Sequence, residues 1–212
     1  MLRYIILGLI LAGLFQVFFW ITQDNRVTVK QNATERFESL SYAPFEGYDK
    51  KVLSPEQIKE DISILIKHTN KVRTYATADA KVILEVASKT NMMVDLGLWL
   101  SGDHEENHKE IQRGLELLKK YPNNINNVIV GNETLLRTDL NEVELMAYLD
   151  FVKGFTKKPI TTAEVWHTLD KYPEIGNHVD FITVHFLPYW ENVPIEQFNN
   201  FIIEKYSIIE KK

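Results

Sequence analysis

The apolar stretch Asn127 to Gly131 runs directly into Asn132 and Glu133. A carboxylic acid at such a strand end, beside a side-chain amide, suits proton transfer to a hydroxylated substrate whose hydroxyl the amide can hold. A plainer reading of the same residues has Glu133 capping the next helix or pairing with Arg137. The run Thr161-Thr162-Ala163-Glu164-Val165-Trp166-His167 brings a second carboxylate. Glu164 either orients substrate and tunes Glu133, or is a structural acid paired with Arg73 or His185. Tyr42, Arg73, Tyr75, Trp99, His185, Tyr189 and Trp190 stand at comparable strand ends, and the faces of Trp and Tyr stack on sugar rings. Glu133 is therefore the candidate catalytic group. Tyr42, Arg73, Tyr75, Trp99, Asn132, Glu164, His185, Tyr189 and Trp190 are the candidate substrate-binding residues.

A different chemistry is suggested by His104-Glu105-Glu106-Asn107-His108, which matches the H-E-x-x-H pattern of zinc peptidases. Two histidines at i and i+4 share a helix face, and Glu105 would be the base. The motif follows Ser101-Gly102-Asp103, a turn and N-cap, and so falls in the first turn of a polar helix. Its x positions are polar, and no third ligand stands at a supporting spacing. A chance match in a solvated helix start is the favoured reading. The chain has no H-x-H pair or carboxylate triad, so no metal site is expected. Cysteine is absent, which excludes a disulfide framework and a thiolate nucleophile. A net charge of -5 argues against nucleic-acid binding.

Strands alternating with helices position these residues. Strands are expected over Ser39 to Phe45, Lys71 to Tyr75, Met92 to Leu100, Asn127 to Gly131, Pro159 to Glu164 and Val179 to Phe186. Ser54-Pro55-Glu56-Gln57 reads as an N-cap, a first-turn proline and a capping box, with Ile58, Ile62, Leu65 and Ile66 as the buried stripe. Further helices are expected from near Asp79, over about Glu105 to Lys120, over about Asn141 to Gly154, briefly near Leu169, and from about Pro194. Units of roughly 30 residues with nearly continuous apolar strands indicate a parallel α/β fold. Polar or aromatic groups close each of six consecutive strands. A (β/α)8 TIM-type barrel builds its site that way, whereas a doubly wound sheet concentrates it at one switch point.

The first segment is of another kind. Tyr4 to Ile21 contains one clearly polar residue, Gln16, and as a helix would be about 27 Å long, close to a bilayer's hydrocarbon thickness. It reads as a membrane anchor over 1–22, ahead of a polar linker over 23–36 and the barrel domain over 37–212.

Taken together, Ser41-Tyr42-Ala43-Pro44-Phe45, Val72-Arg73-Thr74-Tyr75, Leu96-Gly97-Leu98-Trp99-Leu100, Val130-Gly131-Asn132-Glu133, Thr161-Thr162-Ala163-Glu164-Val165-Trp166 and Asp180-Phe181-Ile182-Thr183-Val184-His185 resemble glycoside hydrolase family 17, in the same order as in the family. The resemblance implies a (β/α)8 barrel and retaining hydrolysis or transglycosylation of β-1,3-glucan, with no cofactor. It implies Glu133 as general acid/base and Asn132 as a sugar contact. A polysaccharide substrate implies a domain outside the cytoplasm. The family's nucleophile lies in a motif resembling I-G-E-x-G-W-P-S at the end of strand seven, and the chain contains no such motif. About 174 residues follow the anchor and linker, against ~250 for a whole barrel. The expectation is about six of eight βα units, inactive alone, with glucan binding without cleavage as the alternative.

Overall fold

Six apolar stretches pair side by side in chain order. A computed structural model describes residues 2–23, 36–46 and 51–211. The strands are β1 (Leu40–Ser41), β2 (Lys71–Arg73), β3 (Met93–Leu98), β4 (Ile125–Asn132), β5 (Ile160–Val165) and β6 (Thr183–His185), each parallel to the next. The helices are α1 (Leu2–Gln23), α2 (Pro55–Leu65), α3 (Thr77–Ala87), α4 (His104–Lys120), α5 (Glu142–Lys153), α6 (Trp166–Lys171) and α7 (Phe198–Ile209). A doubly wound sheet would reverse its strand order at a switch point. This sheet does not reverse. The architecture is that of an incomplete TIM-like barrel, as expected.

The helices start where side chains can take up their free N–H groups. The Ser54 hydroxyl accepts from the Gln57 N–H at 3.3 Å, and the Gln57 side chain accepts from the Ser54 N–H at 3.0 Å. Asn141 and Glu144 build the same reciprocal pair at the start of α5. Asp103 accepts from the N–H groups of Glu105 and Glu106 to open α4. Helices α2 to α5 then present apolar stripes to the sheet. Ile58 and Ile62 of α2, Ile83 and Leu84 of α3, Ile111 of α4, and Leu145 and Leu149 of α5 pack with Val72, Val94, Leu96, Leu98, Val128, Val130 and Ile160 from the strands.

Strand alternation sends the other residues to the barrel interior. Register aligns Ser41 with Arg73 and Arg73 with Asp95, so these three share the interior face. Close packing at this level requires Gly97, where a methyl group would stand 2.3 Å from the Thr74 carbonyl oxygen.

Three expectations shift. The first strand ends at Ser41 rather than Phe45, because Pro44 has no N–H to donate. Phe45–Glu46 pairs instead with Lys51–Val52, antiparallel. The third helix starts at Thr77 rather than near Asp79. At the C-terminal end, Ile195–Gln197 first forms a 3-10 turn, and α7 begins only at Phe198.

The chain divides into two compact units, Met1–Glu35 and Arg36–Lys212. Among the described residues, no helix is long and apolar enough to cross a membrane. The span expected over Tyr4 to Ile21 is therefore not supported. Most of the expected linker, residues 24–35, lies outside the described residues.

Candidate active site

An extra residue in β4 creates the site. Pairing with β5 runs Val128 to Ile160 and Ile129 to Thr161, then skips to Asn132 with Ala163. Such a bulge turns the strand by one position, so Asn132 takes an interior place that regular alternation would deny it. The backbone follows with positive φ at Gly131 (81°) and at Glu133 (54°). The Glu133 N–H still donates to the Ala163 carbonyl at 2.7 Å, which fixes the carboxylate at the strand's end.

Four predicted residues meet there. Arg73 Nη2 donates to Asn132 Oδ1 at 2.5 Å, and Arg73 Nη1 lies 3.0 Å from His185 Nε2. His185 Nδ1 lies 2.6 Å from Glu133 Oε1. The Glu133 and His185 side chains are 24% and 17% exposed, enough for a substrate to reach the carboxylate. The Arg73 guanidinium also stands 4.9 Å over the Tyr75 ring. Burial pulls the Arg73 pKa down from the ordinary guanidinium value, while Tyr75, Glu133 and Asp95 push the other way.

Trp99 forms a neighbouring wall. It is 40% exposed, and the Arg137 guanidinium lies 4.4 Å from its ring centre. Arg137 also donates to the Asn132 carbonyl, to the Leu100 carbonyl at 3.0 Å and to Asp139 Oδ2 at 2.8 Å. It thereby joins the exits of β3 and β4. The sequence offered Arg137 only as a partner for Glu133; in the structure Glu133 pairs with His185 instead. Nothing in local spacing marks Arg137 as the residue that holds Asn132 and Trp99.

Tyr42 and Glu164 turn away from this cluster. Tyr42 lies on the helix-facing side of the sheet, packs against the core, and donates its hydroxyl to Asp61 of α2 at 2.7 Å. Burial, then the Asp61 hydrogen bond, push the phenol above its ordinary range. Glu164 pairs in register with Val184, on the face opposite His185. It is fully buried, and its Oε1 accepts from the Leu135 N–H at 2.9 Å and the Thr134 hydroxyl at 3.2 Å. Among the described residues, its Oε2 has no hydrogen-bond partner. Burial raises the Glu164 carboxyl above the ordinary value, against the pull of those hydrogen bonds. Glu164 meets neither Arg73 nor His185.

Tyr189 and Trp190 are 73% and 75% exposed and meet edge to face with ring centres 5.3 Å apart. They stand on the 3-10 turn Pro188–Glu191 that follows β6, and Glu191 accepts from Trp166 Nε1 at 2.8 Å. The H-E-x-x-H residues have other partners. His104 Nδ1 lies 2.9 Å from the Tyr148 hydroxyl, and His108 Nδ1 lies 2.6 Å from the His104 carbonyl. Buried Asn107 bonds the Ser101 backbone through both side-chain atoms. Among the described residues, no three His, Asp or Glu side chains gather as a metal would require.

The fold and motifs have counterparts of known structure. The chain superposes on a glycoside hydrolase family 17 β-1,3-glucanosyltransferase from Rhizomucor miehei with a TM-score of 0.73 and 26% identity, covering 82% of this chain and 66% of that one. An endo-laminarinase from Formosa gives the same TM-score at 17% identity, covering 82% and 62%, a likeness of fold alone. A glucan 1,3-beta-glucosidase of Schizosaccharomyces pombe is 27% identical over 167 residues, 71% of this chain and 51% of that protein. The chain thus spans about half to two thirds of the length of these relatives. The likeness to glycoside hydrolase family 17 is borne out. Residues 39–212 match the profile of the BtgE/BtgC glycoside hydrolase domain, and the chain belongs to that family.

Proposed function

We propose that the barrel domain acts on β-1,3-glucan, with Glu133 as general acid/base. The observation that carries this reading is the placement of Glu133 at the exit of β4, beside Asn132 and within 2.6 Å of His185. A relative solved with laminaritriose bound, the Rhizomucor glucanosyltransferase, supports the substrate class. In a retaining mechanism Glu133 protonates the departing glycosidic oxygen, and a second carboxylate ~5 Å away attacks the anomeric carbon. Glu133 then deprotonates water or an acceptor sugar.

Glu164 is not suited to be that nucleophile. It faces the helix layer, is fully buried and has a raised carboxyl. This favours a second reading for the polypeptide of these 212 residues by itself: it holds glucan without cleaving it. Incubation of this polypeptide with laminarin separates the two. Saturable quenching of tryptophan fluorescence without sugar release is expected. Sugar release that Glu133→Gln abolishes would overturn the second reading and leave the first intact. Absence of both binding and release would overturn both.

Attachment to a membrane rests on the composition of Tyr4 to Ile21 alone, and placement of the domain on its outer face rests on the polysaccharide nature of the proposed substrate. Alkaline carbonate extraction with protease protection tests it, and release of the chain into the soluble fraction would count against it.

A further inference from the structure

Helix α3 begins without a cap of its own, because its N-cap position is Ala76, which has no side-chain acceptor. The acceptor comes from Glu110 on α4. Glu110 is 4% exposed, and its Oε1 accepts from the Thr77 N–H at 2.7 Å and the Trp99 N–H at 3.2 Å. Its Oε2 takes the Thr77 hydroxyl at 2.5 Å and Arg113 Nη2 at 2.8 Å. One oxygen therefore grips main chain, and the other grips side chains. A carboxylate at this place also sits favourably at the positive end of the α3 dipole.

The two main-chain segments held by Oε1 are the exits of β2 and β3. Thr77 follows Tyr75 by two residues, and Trp99 follows the last residue of β3. Both aromatic residues belong to the proposed cleft, and the Oε1 hydrogen bonds go to main-chain N–H groups rather than to the rings. The geometry assigns Glu110 as a positioning residue for the glucan cleft, fixing the separation of the Tyr75 and Trp99 exits through Oε1. This assignment rests on the cleft being a glucan site.

The division of labour between the oxygens gives the test. Glu110→Gln keeps an Oε1 acceptor for both N–H groups but loses the Arg113 ion pair. Arg113→Ala loses the same pair from the other side. Glu110→Ala removes both kinds of contact. In the full chain, Glu110→Ala is expected to weaken laminari-oligosaccharide binding about tenfold, with Glu110→Gln and Arg113→Ala within about twofold of the parent. All three should lower Tm. In a 5-fluorotryptophan-labelled chain, the ¹⁹F resonance assigned through Trp99→Phe should move in Glu110→Ala and stay in place in the other two. Affinity that follows Tm across the three variants, or an unmoved Trp99 resonance in Glu110→Ala, would overturn the assignment. If the parent chain binds no oligosaccharide, the glucan reading fails, and the ¹⁹F shift still decides whether Glu110 positions Trp99. Glu110→Asp, shorter by one methylene, replaces Glu110→Ala if that variant does not fold.

Discussion

His185 Nδ1 lies 2.6 Å from Glu133 Oε1, and the far nitrogen of the same ring lies 3.0 Å from Arg73 Nη1. A guanidinium only donates, so His185 Nε2 must accept and the ring proton of a neutral imidazole must sit on Nδ1. That N–H then donates to Glu133 Oε1. In the acid/base role proposed for Glu133, the remaining oxygen, Oε2, would carry the transferable proton. Under the proposed role for Glu133, Arg73 selects, through one imidazole, the oxygen that does acid/base chemistry.

Removal of that constraint should be visible in the ring itself. In ¹⁵N-edited NMR of the parent chain, His185 is expected as the Nδ1–H tautomer. Arg73→Ala should bring in the Nε2–H form and, by stripping Asn132 Oδ1 of its charged donor, lower stability by about 1–3 kcal/mol. An Nε2–H ring in the parent chain would refute the assignment.

The bulge gives a second prediction. Gly131 has a φ of 81°, and a methyl group there would stand 3.0 Å from Thr134 Cγ2. Gly131→Ala should cost about 1–3 kcal/mol by urea unfolding, and Gly131→Val more, because left-handed backbone disfavours a β-branched side chain. Equal stability of the alanine variant would mean that the β4 exit tolerates another backbone path.

Glu164 predicts a pH effect whose sign follows from burial. The folded carboxyl is raised above its ordinary value, so the folded state binds the proton more tightly than the unfolded chain. Its contribution to stability is present below the ordinary carboxylate value and is lost as pH rises through the folded value. Glu164→Gln removes this dependence. Urea unfolding near pH 4.5 and pH 7.5 should show the variant gaining on the parent at the higher pH. The opposite slope would mean that the carboxylate is stabilised in its ionised form, and would reopen a role for it in the cleft.

These residues also mark what was legible before the structure. The capping pairs Ser54 with Gln57 and Asn141 with Glu144 are local, so these two helix starts and the βα order followed from the sequence. The Gly131-Asn132-Glu133 exit was legible because apolar runs and strand ends are local too. Which face a side chain takes was not. Tyr42 and Glu164 stand at strand ends yet point to the helix layer, since one position along a strand reverses the face. Asn132 reaches the interior only because the strand carries an extra residue, which no residue type announces. Arg137 and Glu110 act across elements, Glu110 on Thr77 at a separation of 33 residues, beyond the reach of any periodicity.

Tyr189 and Trp190 supply the last prediction, because their exposure separates binding from folding. Both rings are about three quarters exposed, and they meet each other edge to face. Truncation of side chains so placed changes stability by no more than about 0.5 kcal/mol. An aromatic face available to a sugar ring nevertheless contributes to binding, because exposed apolar rings lose contact with water when the ligand covers them. Tyr189→Ala and Trp190→Ala should each leave the unfolding midpoint within error of the parent while weakening laminari-oligosaccharide binding about three- to tenfold. Trp99→Ala should weaken binding as well, but with a loss of stability, since Arg137 packs on that ring. Isothermal titration together with thermal melts distinguishes the cases. Unchanged affinity in both exposed-site variants would place the glucan path nearer Tyr75 and Trp99 and away from the Pro188–Glu191 turn.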